Sequence, residues 1–167
     1  MKKIGLFYGA NADKTAFVAE KIRKEFGHDI TVIPVEHAWE QDFTGYENMI
    51  VGASTWFDGE LPTYWDELLP ELRSLDLKGK KVAIFGLGDQ VNYPDNFVDG
   101  IGLLAKAFEE AGAAIVGYTS PHGYTFNKSE ALTEHSFCGL ALDLDNQPEK
   151  TDERIKEWCD LLKKEFA

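Results

Sequence analysis

A short loop near the start of the chain has the composition of an anion-binding turn. It reads Gly9-Ala10-Asn11-Ala12-Asp13-Lys14-Thr15 and leads directly into a helical pattern. Backbone N–H groups at a helix N-terminus bind anions, and Lys14 adds a positive charge. The P-loop of triphosphatases needs glycine directly before the lysine and again five residues earlier. This chain has Asp13 and Tyr8 there, which argues against a triphosphatase. The alternative is an ordinary strand-to-helix turn with Asp13 as the capping carboxylate.

Large aromatic residues follow two further apolar runs. Trp56 and Phe57 lie in the loop 54–60, and Tyr93 lies in the loop 86–96. Rings at such places either pack on the protein or stack on a flat ligand. The second loop contains a single G-x-G without the third glycine of a dinucleotide fingerprint. Packing explains either ring taken singly, but both rings beside an anion-capable loop suggest a planar ring joined to a phosphate.

Apolar runs alternating with helical stripes must position these loops. The runs predict five strands, at Ile4 to Tyr8, Ile30 to Val35, Met49 to Ala53, Val82 to Phe85 and Ala114 to Tyr118. Helical stripes separate them, and a last amphipathic helix follows Thr151, which we interpret as its N-cap. This alternation predicts an α/β fold with a doubly wound five-stranded parallel sheet of order 2-1-3-4-5. In that order the ligand lies beyond the carboxyl ends of strands 1 and 3.

One segment breaks the alternation. Residues 119–136 are polar, and the apolar run Phe137 to Leu142 follows them. We interpret this as a fifth strand interrupted by an insertion of roughly 20 residues, long enough to suggest a functional loop. The whole chain, 1–167, is expected to form a single domain.

Composition restricts the partners. The 167 residues include 17 Lys plus Arg against 29 Asp plus Glu, a formal net charge of -12. Such a surface repels nucleic acid and anionic membranes and favours docking on basic proteins. The apolar run at the N-terminus ends at Gly9, too short for a signal peptide, so we expect a cytoplasmic protein. We also expect a monomer.

Cysteine and histidine give no redox or metal motif. Cys138 and Cys159 do not form a C-x-x-C pair and lie in apolar patterns, so we expect buried free thiols. The histidines share no metal-ligand spacing and are expected at the surface; they are His28, His37, His122 and His135.

Several segments together resemble the flavodoxin family, long-chain class, over essentially the whole chain. They are Gly5 to Gly9, Thr55-Trp56 through Leu61, Phe85 to Gln90 with Tyr93, Gly123-Tyr124 and Gly139 to Gln147. The Gly-x-Gly-Asp-Gln and Leu-Asp-x-Asp-Asn-Gln runs are the most specific of these. The resemblance implies a flavodoxin-like sheet, FMN held without a covalent bond, and electron transfer without substrate turnover. Its implied partners are basic-surfaced redox proteins such as a flavodoxin reductase and an electron-accepting enzyme.

The resemblance also implies a role for each site residue. Asn11, Lys14 and Thr15 would hold the FMN phosphate, and Trp56 and Tyr93 would lie on the two faces of the flavin ring. The remaining positions would contact the ring, its supporting loops or the ribityl chain; they are Thr55, Phe57, Asp58, Gly59, Gly88, Asp89, Asn96 and Asp145.

The phosphate loop departs from the family pattern. Ala10, Ala12 and Asp13 replace two hydroxyl residues and a glycine. Hydrogen bonds to a charged group contribute about 1.5–3 kcal/mol each, so we expect FMN to bind less tightly than in typical relatives. Two alternatives stay open: a flavodoxin-like binding or regulatory module with weakened or lost FMN binding, and a flavin-dependent quinone or nitro reductase.

Overall fold

Parallel strands formed by the apolar runs build one sheet. The computed structural model describes residues 2–9, 12–56 and 59–167. The strands are β1 (Ile4–Tyr8), β2 (Ile30–Pro34), β3 (Asn48–Ser54), β4 (Lys81–Leu87), β5 (Ala114–Val116) and β6 (Leu140–Leu142). The helices are α1 (Asp13–Phe26), α2 (Glu40–Thr44), α3 (Thr63–Arg73), α4 (Asp99–Glu110) and α5 (Thr151–Glu165). The helical stripes predicted all of these helices except the five-residue α2.

The strand order is β2-β1-β3-β4-β5, and β6 also pairs with β4. Lys81 to Ala83 of β4 pair with β5, and Phe85 to Leu87 pair with β6, both in parallel register. Strands β5 and β6 therefore form two halves of one interrupted edge strand, as predicted. The first half ends at Val116 rather than at Tyr118, because Gly117 takes φ +80° and leaves the extended conformation.

Both faces of the sheet are covered. Helices α1 and α5 pack on one face through side chains such as Val18, Ile22 and Trp158. Helices α3 and α4 pack on the other through Trp65, Leu104 and their neighbours. A strand buried on both faces reads as a nearly continuous apolar run, which is why the runs predicted the sheet.

Two helix starts differ from what the sequence suggested, one from the alternative reading of the first loop and one from the prediction. Ala12 is the N-cap of α1 and Asp13 is the first residue of the helix, so the alternative with Asp13 as the cap is not what the structure shows. Lys150, not Thr151, is the N-cap of α5. The short turn Pro148–Lys150 already follows a helical path, so Thr151 adopts φ -60° and ψ -52° inside the helix and cannot cap it.

The cysteine and histidine predictions agree with the structure. Cys138 and Cys159 are buried free thiols, and all four histidines are exposed. No cluster of three potential metal ligands occurs within the described residues.

Within residues 2–9, 12–56 and 59–167, no helix combines the length and apolar character needed to cross a bilayer.

Candidate cofactor-binding site

A cleft of about 180 Å³ opens where the carboxyl ends of β3, β4 and β6 meet the start of α1. Predicted site residues from four separate loops line it. The lining residues are Lys14, Ser54, Thr55, Leu87, Gly88, Asp89, Tyr93, Asn96, Leu144 and Asp145. The cleft lies at the edge of the sheet where ligands of doubly wound folds bind.

The two candidate ring-binding aromatics are exposed at this edge. Tyr93 lines the cleft with 47% of its surface exposed, and Trp56, next to the lining residue Thr55, has 40% exposed. Aromatic rings bury large areas when they can, so two open rings beside one cleft indicate a surface suited to a flat ligand. Their roles as stacking partners stay predictions.

The turn after Trp56 is tightly closed. The backbone N–H of Trp56 donates to the Glu60 carbonyl at 2.7 Å, and the Glu60 N–H donates back to Trp56 at 2.8 Å. Gly59 takes φ +90°, and a Cβ there would lie 2.5 Å from Asp99 Oδ2, so only glycine fits. Phe57 and Asp58 lie outside the described residues.

Thr55 connects this turn to α4. Its Oγ1 accepts a hydrogen bond from the Gly100 N–H at 2.9 Å, near the start of α4, and its own N–H donates to Leu87 at 3.0 Å. The hydroxyl therefore satisfies one of the N–H groups that a helix start leaves unpaired. Thr55 thus holds the ends of β3 and β4 against α4.

Asp99 is a second anchor behind the cleft. It is buried, its Oδ2 accepts from Asn96 Nδ2 at 3.2 Å, and its Oδ1 accepts from the Glu130 N–H at 2.8 Å. Burial raises the pKa of this carboxyl above its ordinary value, against the lowering effect of these hydrogen bonds. Asp99 joins the ring-side loop to the insertion in the fifth strand.

At the other end of the cleft, the start of α1 combines an uncapped helix with a charged pair. Ala12 provides no side-chain hydrogen bond to the helix. Lys14 Nζ lies 2.5 Å from Asp145 Oδ1, so these predicted residues are brought together directly. Thr15 is fully buried and its hydroxyl lies 3.0 Å from the hydroxyl of Ser54, behind the cleft surface. Asn11 lies outside the described residues.

Asp89 orders the loop that carries Tyr93. Its carboxylate accepts hydrogen bonds from the N–H groups of Val91 and Asn92 and from the side chains of Asn92 and Asn146. Burial alone would raise the pKa of Asp89, but these hydrogen bonds outweigh it and hold the pKa below its ordinary value. Asp89 therefore acts as a carboxylate that organises backbone around Tyr93.

Asp143 is a residue that the site prediction omitted. It is fully buried, and its Oδ2 accepts from the N–H of Gln90 at 3.0 Å and from Gln90 Nε2 at 2.8 Å. Its Oδ1 accepts from the N–H groups of Asp145 and Asn146 at 3.1 and 2.9 Å. One carboxylate thus locks together the loops after β4 and β6. The sequence signal for Asp143 is the Leu-Asp-x-Asp-Asn-Gln run, in which it is the first aspartate.

Comparison with known proteins gives a consistent result. The flavodoxin family model matches residues 6–158. The chain is 51% identical over 167 residues to a flavodoxin of Nostoc sp., covering 99% of this chain and 98% of that protein. It is 44% identical over 169 residues to a flavodoxin of Synechococcus elongatus, covering 100% and 99%. A crystal structure of Fusobacterium nucleatum flavodoxin bound to flavin mononucleotide matches all of both chains with a TM-score of 0.94 and 33% identity.

The chain therefore belongs to the flavodoxin family. This confirms the family and the fold expected from the sequence. Flavodoxins are electron carriers that serve redox partners.

Proposed function

We propose that this chain binds FMN in the cleft and carries electrons between redox proteins, without turning over a substrate of its own. The observation that carries the proposal is the meeting of an uncapped, Lys14-bearing start of α1 with the exposed ring of Tyr93 in one cleft. A phosphate fits the first and a flat ring fits the second. The FMN-bound Fusobacterium nucleatum structure supports the same cofactor.

The described residues fit the two ends of FMN by different chemistry. Lys14 and the first N–H groups of α1 would hold the phosphate, while Trp56 and Tyr93 would cover the ring. Bound FMN would supply one-electron and two-electron transfer, and the protein would supply binding and electrostatics. Asp89 and Asp143 would keep the ring-side loops in place, because each accepts several hydrogen bonds from backbone within them.

The partners follow from charge. A net charge of -12 favours basic-surfaced redox proteins, such as a flavodoxin reductase and an electron-accepting enzyme. We infer that the chain forms a single domain, which one sheet with a core on each face supports. That it acts as a monomer stays a prediction from the sequence. A cytoplasmic location stays a prediction from the sequence.

Rings on both sides of a bound flavin would obstruct a nicotinamide or quinone, which disfavours the reductase alternative. The other alternative, a module with weakened or lost FMN binding, differs from the proposal only in its affinity for FMN. Titration of the apoprotein with FMN measures that affinity.

The test is a cofactor assay on the purified full chain. We expect flavin absorbance in the purified protein, release of FMN on denaturation, and rebinding of FMN by the apoprotein with higher affinity than riboflavin. Electron transfer from a basic reductase should slow as salt rises, because charge steering is screened over about 8 Å at physiological ionic strength. Apoprotein that binds neither FMN nor riboflavin would overturn the proposal.

A further inference from the structure

A second cavity shares no lining residue with the cofactor cleft. It has a volume of about 420 Å³ and lies between the first part of the polar insertion, β6 and α5. This volume is in the range of small-molecule sites. The lining residues are Thr119, Ser120, His122, Tyr124, Leu140, Arg154, Glu157, Trp158 and Leu161.

Arg154 is a cation of this cavity that the protein leaves without a partner. Of the three arginines in the sequence, Arg23 and Arg73 form ion pairs with glutamates. Arg154 is half-buried, yet within the described part of the chain it forms neither an ion pair nor a hydrogen bond. Its Nη1 is even enclosed without an acceptor. Buried polar groups are paired as a rule, so this guanidinium calls for an acceptor that the described residues do not supply.

The guanidinium is held in a fixed plane and can be reached from the cavity. Its Cζ lies 4.0 Å from the centroid of the Tyr124 ring, and the Tyr124 hydroxyl donates to the Ala141 carbonyl at 2.6 Å. Arg154 lines the cavity, and Nη1 is the one nitrogen of its side chain that is enclosed, so Nε and Nη2 are the donors open to a ligand. Such a pair of parallel N–H groups matches the two oxygens of a carboxylate.

The charge around Arg154 favours an anion. A Cβ built on Gly123 would lie 3.7 Å from Arg154 Nη2 and 4.0 Å from Lys150 Nζ, so two cations approach one point of the backbone. Lys150 is half-buried and also forms no ion pair within the described residues. Glu157 lines the cavity but is exposed and does not pair with Arg154. Two uncompensated cations in a chain of net charge -12 indicate a site for a negatively charged group.

The opposite wall suits an apolar body. Leu140 of β6 and Trp158 and Leu161 of α5 line it. At the rim, Ser120 Oγ accepts from the His122 N–H at 3.1 Å, which leaves the Ser120 O–H free to donate. Pockets for small organic molecules combine apolar walls with a few placed polar groups in this way.

We propose that this cavity binds a small organic carboxylate, which accepts hydrogen bonds from Nε and Nη2 of Arg154 and lays its apolar body against Leu140 and Leu161. The site is separate from the cofactor cleft, so the inference goes beyond the proposed electron transfer and does not rest on it.

The test uses benzoate, which joins a carboxylate to a flat apolar ring, and follows backbone amide NMR signals of the full chain with and without saturating FMN. We expect saturable shifts at residues 119–124 and 154–161, with the same dissociation constant in both conditions. Benzamide, a neutral molecule of the same shape, should bind at least tenfold more weakly, because a hydrogen bond to a charged group corresponds to a factor of about ten to a hundred. Acetate should also bind about tenfold more weakly, because it has no ring to bury.

Variants locate the binding energy. Arg154→Met keeps the length of the side chain and should weaken benzoate at least tenfold, while Arg154→Lys, which keeps the charge and loses the planar fork, should fall between Met and wild type. Glu157→Gln should tighten benzoate by about twofold to fivefold, since it removes an exposed negative charge from the wall. Arg23→Met is the matched control: it makes the same substitution on α1, outside the cavity lining, and should leave the affinity unchanged.

Equal binding of benzoate and benzamide by the wild-type chain would overturn the proposal, and this comparison needs no variant to fold. Unchanged benzoate affinity in Arg154→Met, or shifts confined to the residues that line the cofactor cleft, would overturn it as well. Because benzoate is also titrated without FMN, a failure of the chain to bind FMN would contradict the proposed function and leave this result standing.

Discussion

Lys14 Nζ and Asp145 Oδ1 lie 2.5 Å apart across the cleft, although 131 positions separate the two residues in the chain. Their side chains are 58% and 45% exposed, so the pair is open to solvent. Exposed ion pairs are worth about 0–1 kcal/mol, which a bound phosphate can readily exceed. Asp145 therefore competes with a phosphate for Lys14, the positively charged side chain of the loop.

Removing this competitor should improve phosphate binding. Asp145→Asn should tighten FMN by roughly twofold to fivefold, the range of an exposed ion pair, and leave riboflavin nearly unchanged. Asp152→Asn is the control. It removes another ion pair of α1, the one that Lys21 makes with Asp152 of α5 at 2.7 Å. Titration of both ligands against the three apoproteins measures the effect. A weaker FMN complex in Asp145→Asn would show that Asp145 assists binding.

Ala12 occupies the N-cap position of α1 but makes no capping hydrogen bond. Its extended backbone, φ -100° and ψ 104°, suits a capping residue, but its methyl group accepts no hydrogen bond. Ala12→Thr should raise the free energy of unfolding by about 1 kcal/mol. Ala12→Val is the matched control, with the same shape and no hydroxyl. Urea unfolding of the apoproteins checks this, and equal stabilities of the Thr and Val variants would exclude capping.

The exposed rings should act on the flavin and not on its phosphate. Trp56→Ala and Tyr93→Ala should each weaken FMN and riboflavin by the same factor; stacking of bases on aromatic side chains, a comparable contact, is worth about 1–3 kcal/mol. Emission of the bound flavin should brighten, because a neighbouring ring no longer quenches it. Trp39→Ala, which removes a ring that is 70% exposed outside the cleft lining, should change neither quantity. Unchanged affinity and emission in both ring variants would remove these residues from the site.

Asp143 should be the most sensitive position of the ring-side loops. Both carboxylate oxygens of Asp143 accept hydrogen bonds from N–H donors. In Asp143→Asn an NH₂ group replaces one of these oxygens, so the N–H donors that it served are left buried and unpaired. We expect a loss of about 3 kcal/mol or more in unfolding free energy, at the upper end for a buried unpaired group. Asp145→Asn, two residues away and exposed, should cost less than 1 kcal/mol. Similar losses in the two variants would contradict the anchoring role of Asp143.

The buried thiols should make the protein weaker in alkali. Burial raises the pKa of Cys138 to about 11 and that of Cys159 to about 12. The unfolded thiols ionise near pH 9, so their contribution to stability is fully present below that pH and is lost as pH rises toward the folded values. The loss should reach about 1 kcal/mol per thiol by pH 10. Urea unfolding at pH 8 and pH 10 measures it, and Cys159→Ala should lose less over that range; an equal loss would place the effect elsewhere.

The sequence alone determined the architecture, because that information is local. Runs buried on both faces predict parallel strands, and the stripes between them predict the long helices. The polar stretch before Phe137 marked the interruption of the fifth strand, and open aromatics after strand ends marked the cleft. The N-cap of α5 was predicted wrongly at Thr151, and the alternative cap at Asp13 also differs from the structure. Capping depends on the path of the preceding backbone and not on residue type alone.

Only the tertiary structure decided which distant polar groups meet. Register and helix packing place Lys14 against Asp145 and the loops after β4 and β6 around Asp143. They also place the Tyr64 hydroxyl against Gly9, where a sequence shows only an amphipathic helix and a glycine 55 positions apart. Burial and hydrogen bonding between such residues depend on the path of the whole chain through the sheet, which no local pattern contains.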